Sequence, residues 1–202
     1  EILYNEYTLQ NSLYSGSEYE NPNNNKFEFD PAKAVELLKE AGYVNRNDRG
    51  VLVHKDTKKE LSFTIEVMKP VEYRVTPMQQ ILKEYGIDMQ IKFVDSTTRW
   101  KNLMDRNFTV DFQGWGGLVY PNPETSFKSS LADQKNNNNV SGLKSERIDA
   151  LLPLYDTEFD HARRVEIIQE IDGIVSDIHP SAWGLSREPP ARLLFWDKFG
   201  YA

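Results

Sequence analysis

Three short apolar segments between residues 61 and 112 constrain the fold of this chain more than any other feature. In each segment, apolar side chains occupy alternate positions, as in a strand with one buried face. The segments contain Leu61, Phe63, Ile65 and Val67, then Ile87, Met89, Ile91 and Phe93, then Phe108, Val110 and Phe112. Helical patterns fill the gaps between them. This order predicts a βαβαβ unit with parallel strands and right-handed crossovers, and therefore an α/β fold.

The two gaps each carry a helix signature. In the first gap, Thr76-Pro77-Met78-Gln79 resembles a capping box, so we expect the helix to begin there and to end at Gly86. In the second gap, Asp95 or Ser96 is expected to cap a helix that carries Trp100, Leu103 and Met104.

Three further helices are predicted outside this unit. In FDPAKAVELLKEAGY, Asp30 suits the N-cap, Pro31 the first helical position and Gly42 a left-handed end. Its apolar stripe, formed by Ala34, Leu37, Leu38 and Ala41, is expected to face a core. Two later stripes predict helices that contain Ile148, Leu151, Leu152 and Tyr155, and then Val165, Ile168, Ile171, Val175 and Ile178.

Composition narrows the classes of partner. The 202 residues are 39% hydrophobic and 12% aromatic, which suffices for a well-packed domain. A net charge of -7 argues against nucleic acid and anionic membranes, because polyanions are repelled at long range. The absence of cysteine excludes disulfides and thiolate metal sites, but it leaves the cellular compartment open.

Enzyme signatures are weak. His54, His161 and His179 are far apart, and none pairs with another ligand at the helical spacing of a metal site. The sequence has neither a nucleophile elbow nor a phosphate-binding glycine loop. We therefore predict no catalytic residue, metal or cofactor. The abundant acidic residues leave open a hydrolytic enzyme domain that uses an Asp/Glu pair, and an adaptor module is a third alternative.

The end of the third predicted strand is the natural place for a ligand. In parallel α/β sheets ligands bind beyond the carboxyl ends of the strands, and Gln113-Gly114-Trp115-Gly116-Gly117 follows directly. Glycines allow close approach of the backbone to a ligand. On the residues alone, core packing is the stronger explanation for Trp115.

Several segments together resemble one protein family. FDPAKAVELLKEAGY, EYGIDMQIKFVD, FTVDFQGWGG and NVSGLKSERIDALL follow the order and spacing of the family 5 extracellular solute-binding proteins. EYTLQNSLYSGSEY and LLFWDKFGYA resemble the subgroup that binds oligopeptides and microcin C. The resemblance implies a type II periplasmic binding fold that closes two lobes on a peptide and delivers it to an ABC permease. It implies a binding protein, not an enzyme, and we expect a monomer.

The resemblance also implies a domain organisation. Family members are more than twice as long, so we expect a C-terminal fragment that lacks the first lobe. Residues 1–28 would be an extended segment near the hinge, 29–186 the ligand-binding second lobe, and 187–202 a strand returning toward the first lobe. We expect a periplasmic protein or cell-surface lipoprotein, exported by a signal peptide missing from this chain.

Candidate ligand-binding residues follow from the same resemblance. It places Trp115, Gly116 and Gly117 at the peptide pocket, Tyr120 in the same loop, and Trp183 and Arg187 on a strand that passes the cleft. The ordinary explanations are turn chemistry from Pro121 and Pro123 for Tyr120, and a solvated charge for Arg187.

Two further positions bear on how the ligand is held. Leu118 stands where broader oligopeptide binders carry an aspartate for the ligand ammonium, so Glu124 or the missing lobe would have to supply that charge. The asparagine run 136–139 is expected to be a mobile polar loop, although its last member could hydrogen-bond a peptide.

Overall fold

The computed structural model describes residues 7–26, 28–112, 120–178 and 185–187, which form two compact units. The sheet unit contains the described residues of 28–116 and 130–142. The helical unit contains those of 1–27, 117–129 and 143–202. Each unit is therefore assembled from separate stretches of the chain.

The helices and strands are numbered in chain order. The helices are α1 Pro31–Glu40, α2 Glu72–Glu84, α3 Ser96–Asp105, α4 Pro123–Phe127, α5 Glu146–Thr157 and α6 His161–Ile178. The strands are β1 Tyr7–Leu9, β2 Tyr43–Arg46, β3 Leu52–His54, β4 Ser62–Val67, β5 Asp88–Phe93, β6 Val110–Asp111 and β7 Leu185–Arg187. None of the described helices is both long and apolar enough to cross a membrane.

The sheet unit is built on the predicted βαβαβ arrangement. Strand β4 lies between β5 and β6 and is parallel to both, with Ile65 paired to Ile91 on one side and Val110 on the other. The chain moves outward from β4 to β5 and then crosses back past β4 to β6. Right-handed crossovers therefore place α2 and α3 on opposite faces of the sheet. The α/β prediction is confirmed.

The two faces of this sheet differ in chemistry because successive side chains of a strand point to opposite sides. On the α2 face, Ile65, Val67, Met89 and the helical Val75 form a buried apolar cluster. On the opposite face, Glu66 of β4 accepts a hydrogen bond from Asn102 of α3. The α2 helix thus covers an apolar surface and α3 a polar one.

Two details of the predicted helices were wrong. Helix α2 begins at Glu72, one turn before the expected cap, and encloses Pro77. The extra turn brings Val75 into the core with no exposed surface, which offsets the hydrogen bond that Pro77 cannot donate. Helix α1 has the expected Asp30 cap, but none of its residues is buried and Leu37 is 52% exposed, so its apolar stripe is not covered by a core as expected.

The helical unit has a core of its own. Helices α5 and α6 pack through the predicted stripes, represented by Ile148, Leu152, Ile168 and Ile171, and Tyr19 joins them from the N-terminal segment. Beyond β1, residues 11–24 form successive turns. Strand β1 pairs antiparallel with β7, with Tyr7 opposite Arg187, so the first and last described strands lie side by side.

Candidate functional site

The predicted ligand residues fall mostly outside the described part of the chain. Trp115, Gly116, Gly117 and Trp183 lie outside it, as does Leu118. Arg187 is described only as backbone of β7. Tyr120 alone has a described side chain, which is 63% exposed and therefore accessible to a ligand. The described residues directly before position 113 belong to the sheet unit and those directly after position 119 to the helical unit, so each side is described by itself.

A paired arginine holds the carboxyl end of β6. Arg99 of α3 donates from Nε and Nη2 to the two carboxylate oxygens of Asp111, at 2.8 and 2.7 Å. Its Nη2 also donates to the carbonyl oxygen of Phe112 at 2.5 Å. The side chains are 16% and 5% exposed, so water competes little for these bonds. The backbone is thus held directly before Gln113.

A second buried carboxylate lies on the same polar face of the sheet. Glu66 is 7% exposed and accepts from Lys92 Nζ and from Asn102 Nδ2, each at 2.7 Å. The hydrogen bond from Lys92, followed by that from Asn102, lowers the pKa of Glu66 and keeps it ionised. Glu66 and Asp111 are therefore each neutralised by a cation of the sheet unit.

Tyr155 holds the main chain at Pro121, which follows positions 113–119 in the sequence. Its hydroxyl donates to the carbonyl oxygen of Pro121 at 2.8 Å in a buried hydrogen bond. The guanidinium of Arg164 lies 3.9 Å from the centroid of the Tyr155 ring and restrains it. The backbone beside Tyr120 is therefore anchored in the helical unit, while the Tyr120 side chain remains exposed.

Glu124, the acid considered for binding a ligand ammonium, already has a partner. Its carboxylate accepts from Lys128 Nζ at 2.5 Å across one turn starting in α4. This hydrogen bond raises the pKa of Lys128, so the lysine stays charged. A ligand ammonium would have to compete with Lys128 for Glu124.

The asparagine run is held in place, contrary to the expected mobile loop. Arg106 donates to the carbonyl oxygens of Leu131, Ala132 and Asn139. Asn139 has no exposed surface, so its side chain is not presented to solvent. The loop is held because one guanidinium offers several donors to backbone carbonyls on both sides of it.

Metal-binding geometry is not found in the part of the chain that the structure describes. Within those residues, no group of three or more His, Cys, Asp or Glu side chains could hold a metal ion. His161 instead lies 2.9 Å from a carboxylate oxygen of Glu18 on the exposed surface of the helical unit.

Sequence reasoning did not identify the contact of Arg99 with Phe112 or that of Tyr155 with Pro121. Arg99 stands on the polar side of a predicted helix, where a solvated charge is the usual explanation. Tyr155 was assigned to the apolar stripe of α5, which its burial confirms, but its hydroxyl partner could not be read from a helical pattern. A buried tyrosine hydroxyl that needs a partner was the one available signal.

Comparison with known proteins supplies independent information. The family model for bacterial extracellular solute-binding proteins, family 5 Middle, matches residues 1–138. A probable peptide-binding protein YejA from Agrobacterium fabrum is 32% identical over 145 residues, covering 67% of this chain and 23% of the relative. The chain spans about a quarter of the length of the curated relatives it matches.

Solved structures show the same fold. The oligopeptide-binding protein AppA from Bacillus subtilis, in complex with a nonapeptide, superposes with a TM-score of 0.69 at 23% identity, covering 79% of this chain and 32% of that one. NikZ from Campylobacter jejuni, in complex with Ni(L-His), superposes with a TM-score of 0.76 at 19% identity, covering 92% of this chain and 38% of NikZ. One fold therefore accommodates different ligands in these proteins.

Proposed function

Because the chain belongs to the bacterial extracellular solute-binding proteins of family 5, we propose that it is part of the substrate-binding component of an ABC-type peptide importer. In this function the protein captures an oligopeptide or peptide-like compound outside the cytoplasm and delivers it to a membrane permease. No chemical change of the ligand is required.

One observation carries the proposal more than any other. The three parallel strands end together, and the chain leaves β6 directly into Gln113-Gly114-Trp115-Gly116-Gly117. This is the edge at which parallel α/β sheets bind ligands. Peptide is favoured over a metal complex because the relative with 32% identity is named as a probable peptide-binding protein.

We assign the proposed ligand contacts to the residues that the family resemblance indicates. Trp115 offers a flat apolar surface that tolerates varied peptide side chains, and Gly116 and Gly117 allow the peptide backbone to approach. The exposed Tyr120 lies in the same loop. Trp183 and Arg187 would contact the ligand from the segment around β7.

The domain proposal is that residues 29–186 form the second lobe of a two-lobed clamp. The pairing of Tyr7 with Arg187 supports it, since the chain upstream of β1 and downstream of β7 leaves the ribbon at the same end. Residues 1–10 and 187–202 would then connect this lobe with the other one, while residues 11–24, expected to be an extended segment near the hinge, pack on α6 within the helical unit. Closure about such connections would bury the peptide between the lobes.

A hydrolytic function receives no support. The similar proteins are binding proteins, and the carboxylates of Glu66 and Asp111 are each engaged by a cation of their own unit. We further propose export by a signal peptide, residence in the periplasm or on the cell surface as a lipoprotein, and a monomeric state. Docking to the permease would follow closure.

Native mass spectrometry of the complete protein, as isolated from its cells, tests the function. A buried peptide survives gentle isolation, so the expected spectrum contains adducts with peptide masses that disappear on denaturation. Retention of a non-peptide compound, or turnover of added peptides, would contradict the proposal.

A further inference from the structure

We propose that the helical unit has a binding site for one structural water molecule, between Asn24 and Ser176, where the turns of residues 11–24 pack on α6. The water donates a hydrogen bond to Oδ1 of Asn24 and accepts one from the hydroxyl of Ser176. It thereby joins the N-terminal turns to α6. The site lies within one unit and is independent of what the protein transports.

Two buried polar atoms at this interface lack a partner among the described residues. Oδ1 of Asn24 and Oγ of Ser176 are both shielded from solvent and make no hydrogen bond within that part of the chain. Ser176 as a whole is 1% exposed. Buried polar groups almost always have a partner, in the protein or in ordered water, because leaving bulk water without compensation is costly. Two such atoms at one interface therefore point to a shared partner.

The side-chain amide of Asn24 cannot satisfy its oxygen by turning over. Its Nδ2 donates to Oδ2 of Asp172 at 2.7 Å and to the carbonyl oxygen of Asn11 at 3.3 Å. A carbonyl and an ionised carboxylate only accept hydrogen bonds, so a flipped amide would bring Oδ1 against two acceptors. The amide orientation is thus fixed, and Oδ1 is directed away from both of them.

The two atoms belong to the same turn of α6. Asp172, which holds the Asn24 amide, and Ser176 are four residues apart on α6 and therefore share one face of the helix. Gly173 gives a second bearing, since a Cβ there would lie 3.9 Å from Oδ1 of Asn24. Cβ positions three residues apart on a helix are separated by about 5 to 6 Å. Ser176 is therefore the next side chain along the helix from the Asn24 oxygen.

Water suits these two atoms better than a cation. The amide oxygen needs a donor and the serine hydroxyl has a proton to donate, and one water molecule meets both requirements. A bound Ca²⁺ instead takes about six to eight oxygen ligands. The carboxylate on this face, Asp172, already accepts hydrogen bonds from Ser12, Asn21 and Asn24. Its oxygens are thus occupied by donors.

A crystal structure of the complete protein at a resolution of about 1.2 Å tests the site directly. The expected density is one isolated peak of the weight of water, about 2.6 to 3.0 Å from both Oδ1 of Asn24 and Oγ of Ser176. Three results would overturn the inference: no such peak, a direct hydrogen bond from either atom to another protein group, or contacts of about 2.3 to 2.6 Å as for Ca²⁺.

Ser176→Ala provides a second test, because its effect on stability has opposite signs with and without the water. If the hydroxyl were unpaired, alanine would remove a buried polar group and favour the helix, so the melting temperature of the complete protein would rise. With the water bound, the variant removes one of its partners. The melting temperature should then fall by about 1 to 3 °C, and the water peak should be lost.

Ser96→Ala is the control for this variant, since Ser96 is a helical serine at an exposed position of α3. It should shift the melting temperature by less than about 1 °C. A rise in the melting temperature with Ser176→Ala, or a change no larger than that of the control, would contradict the water site.

Discussion

The hydroxyl of Ser12 lies 2.8 Å from both carboxylate oxygens of Asp172, although the two residues are 160 positions apart. Both side chains have no exposed surface. The carboxylate also accepts from the backbone N–H of Asn21 at 2.9 Å and from Asn24 Nδ2 at 2.7 Å. One acid of α6 therefore fastens the turns of residues 11–24 to the helical unit.

Asp172→Asn should destabilise the helical unit. An asparagine keeps the shape but offers one acceptor oxygen and turns an NH₂ group toward the donors of Asn21 and Asn24. We expect a loss of about 1 to 3 kcal/mol in the free energy of unfolding, the cost of leaving buried donors without acceptors. Urea unfolding measures this loss. The control variant Asp177→Asn, at an exposed position of the same helix, should change the free energy of unfolding little.

The stability that Asp172 contributes to the unaltered protein should change with pH in a definite direction. Burial raises the pKa of Asp172 above 3.8, although hydrogen bonds from Asn21, Ser12 and Asn24 oppose the rise. The folded state therefore holds this proton more tightly than the unfolded state. The stability contributed by Asp172 is complete below pH 3.8 and declines as the pH rises through the raised pKa.

Urea unfolding across the acid range checks this sign. The unfolding free energy of the unaltered protein minus that of Asp172→Asn should shrink with rising pH. A difference that grows as the pH rises would contradict the account. Asp177→Asn again provides the reference for a solvated carboxylate on α6.

Gly173→Ala should destabilise the protein, although alanine favours helices. A Cβ at Gly173 would lie 2.5 Å from Nδ2 of Asn21, which donates to the carbonyl oxygen of Gln169. We expect a net loss of about 1 kcal/mol from the displaced amide. In an Asn21→Ala background the obstacle is absent, so Gly173→Ala should instead stabilise by up to about 1 kcal/mol. Thermal unfolding of the four proteins measures both signs, and a loss of equal size in both backgrounds would refute the steric cause.

Much of the fold could be predicted from the sequence because periodicity reports burial directly. The alternation at Phe63, Ile65 and Val67 identified β4, and Asp95 caps α3 as expected through bonds to two backbone N–H groups. The start of α2 could not be predicted, since the burial of Val75 depends on strands distant in sequence. For helix α1 the existence of the helix was predicted correctly but its burial was not, because an apolar stripe does not specify which surface covers it.

The candidate site was less accessible to sequence reasoning. Strand order predicts that a ligand binds beyond β6, and the family resemblance supplied Trp115 and Tyr120. The polar partners did not follow, because a sequence does not reveal which carbonyl a guanidinium or hydroxyl will reach. Arg99, Arg106 and Tyr155 all bind backbone carbonyl oxygens, which carry no sequence signal.

Blocking the amine of a peptide should cost little affinity. By the family resemblance, Leu118 stands where broader oligopeptide binders carry an aspartate. Glu124 is paired with Lys128, and Asp111 is paired with Arg99. An N-acetylated nonapeptide should therefore bind the complete protein within about tenfold of its free-amine form, equivalent to about 1.4 kcal/mol. Competition titrations decide the matter. A greater loss would show that a desolvated carboxylate elsewhere holds the amine, since breaking such a pair costs about 2 to 5 kcal/mol.

Calorimetric titration of one nonapeptide into the complete protein and into the 202-residue chain alone tests the central claim most directly. A single lobe covers one side of a peptide and cannot exclude water by closure, so the account predicts that the 202-residue chain folds but binds at least about a hundredfold more weakly. Circular dichroism confirms folding in each sample. Equal affinity in the two samples, or no peptide binding by the complete protein, would contradict a two-lobed peptide clamp.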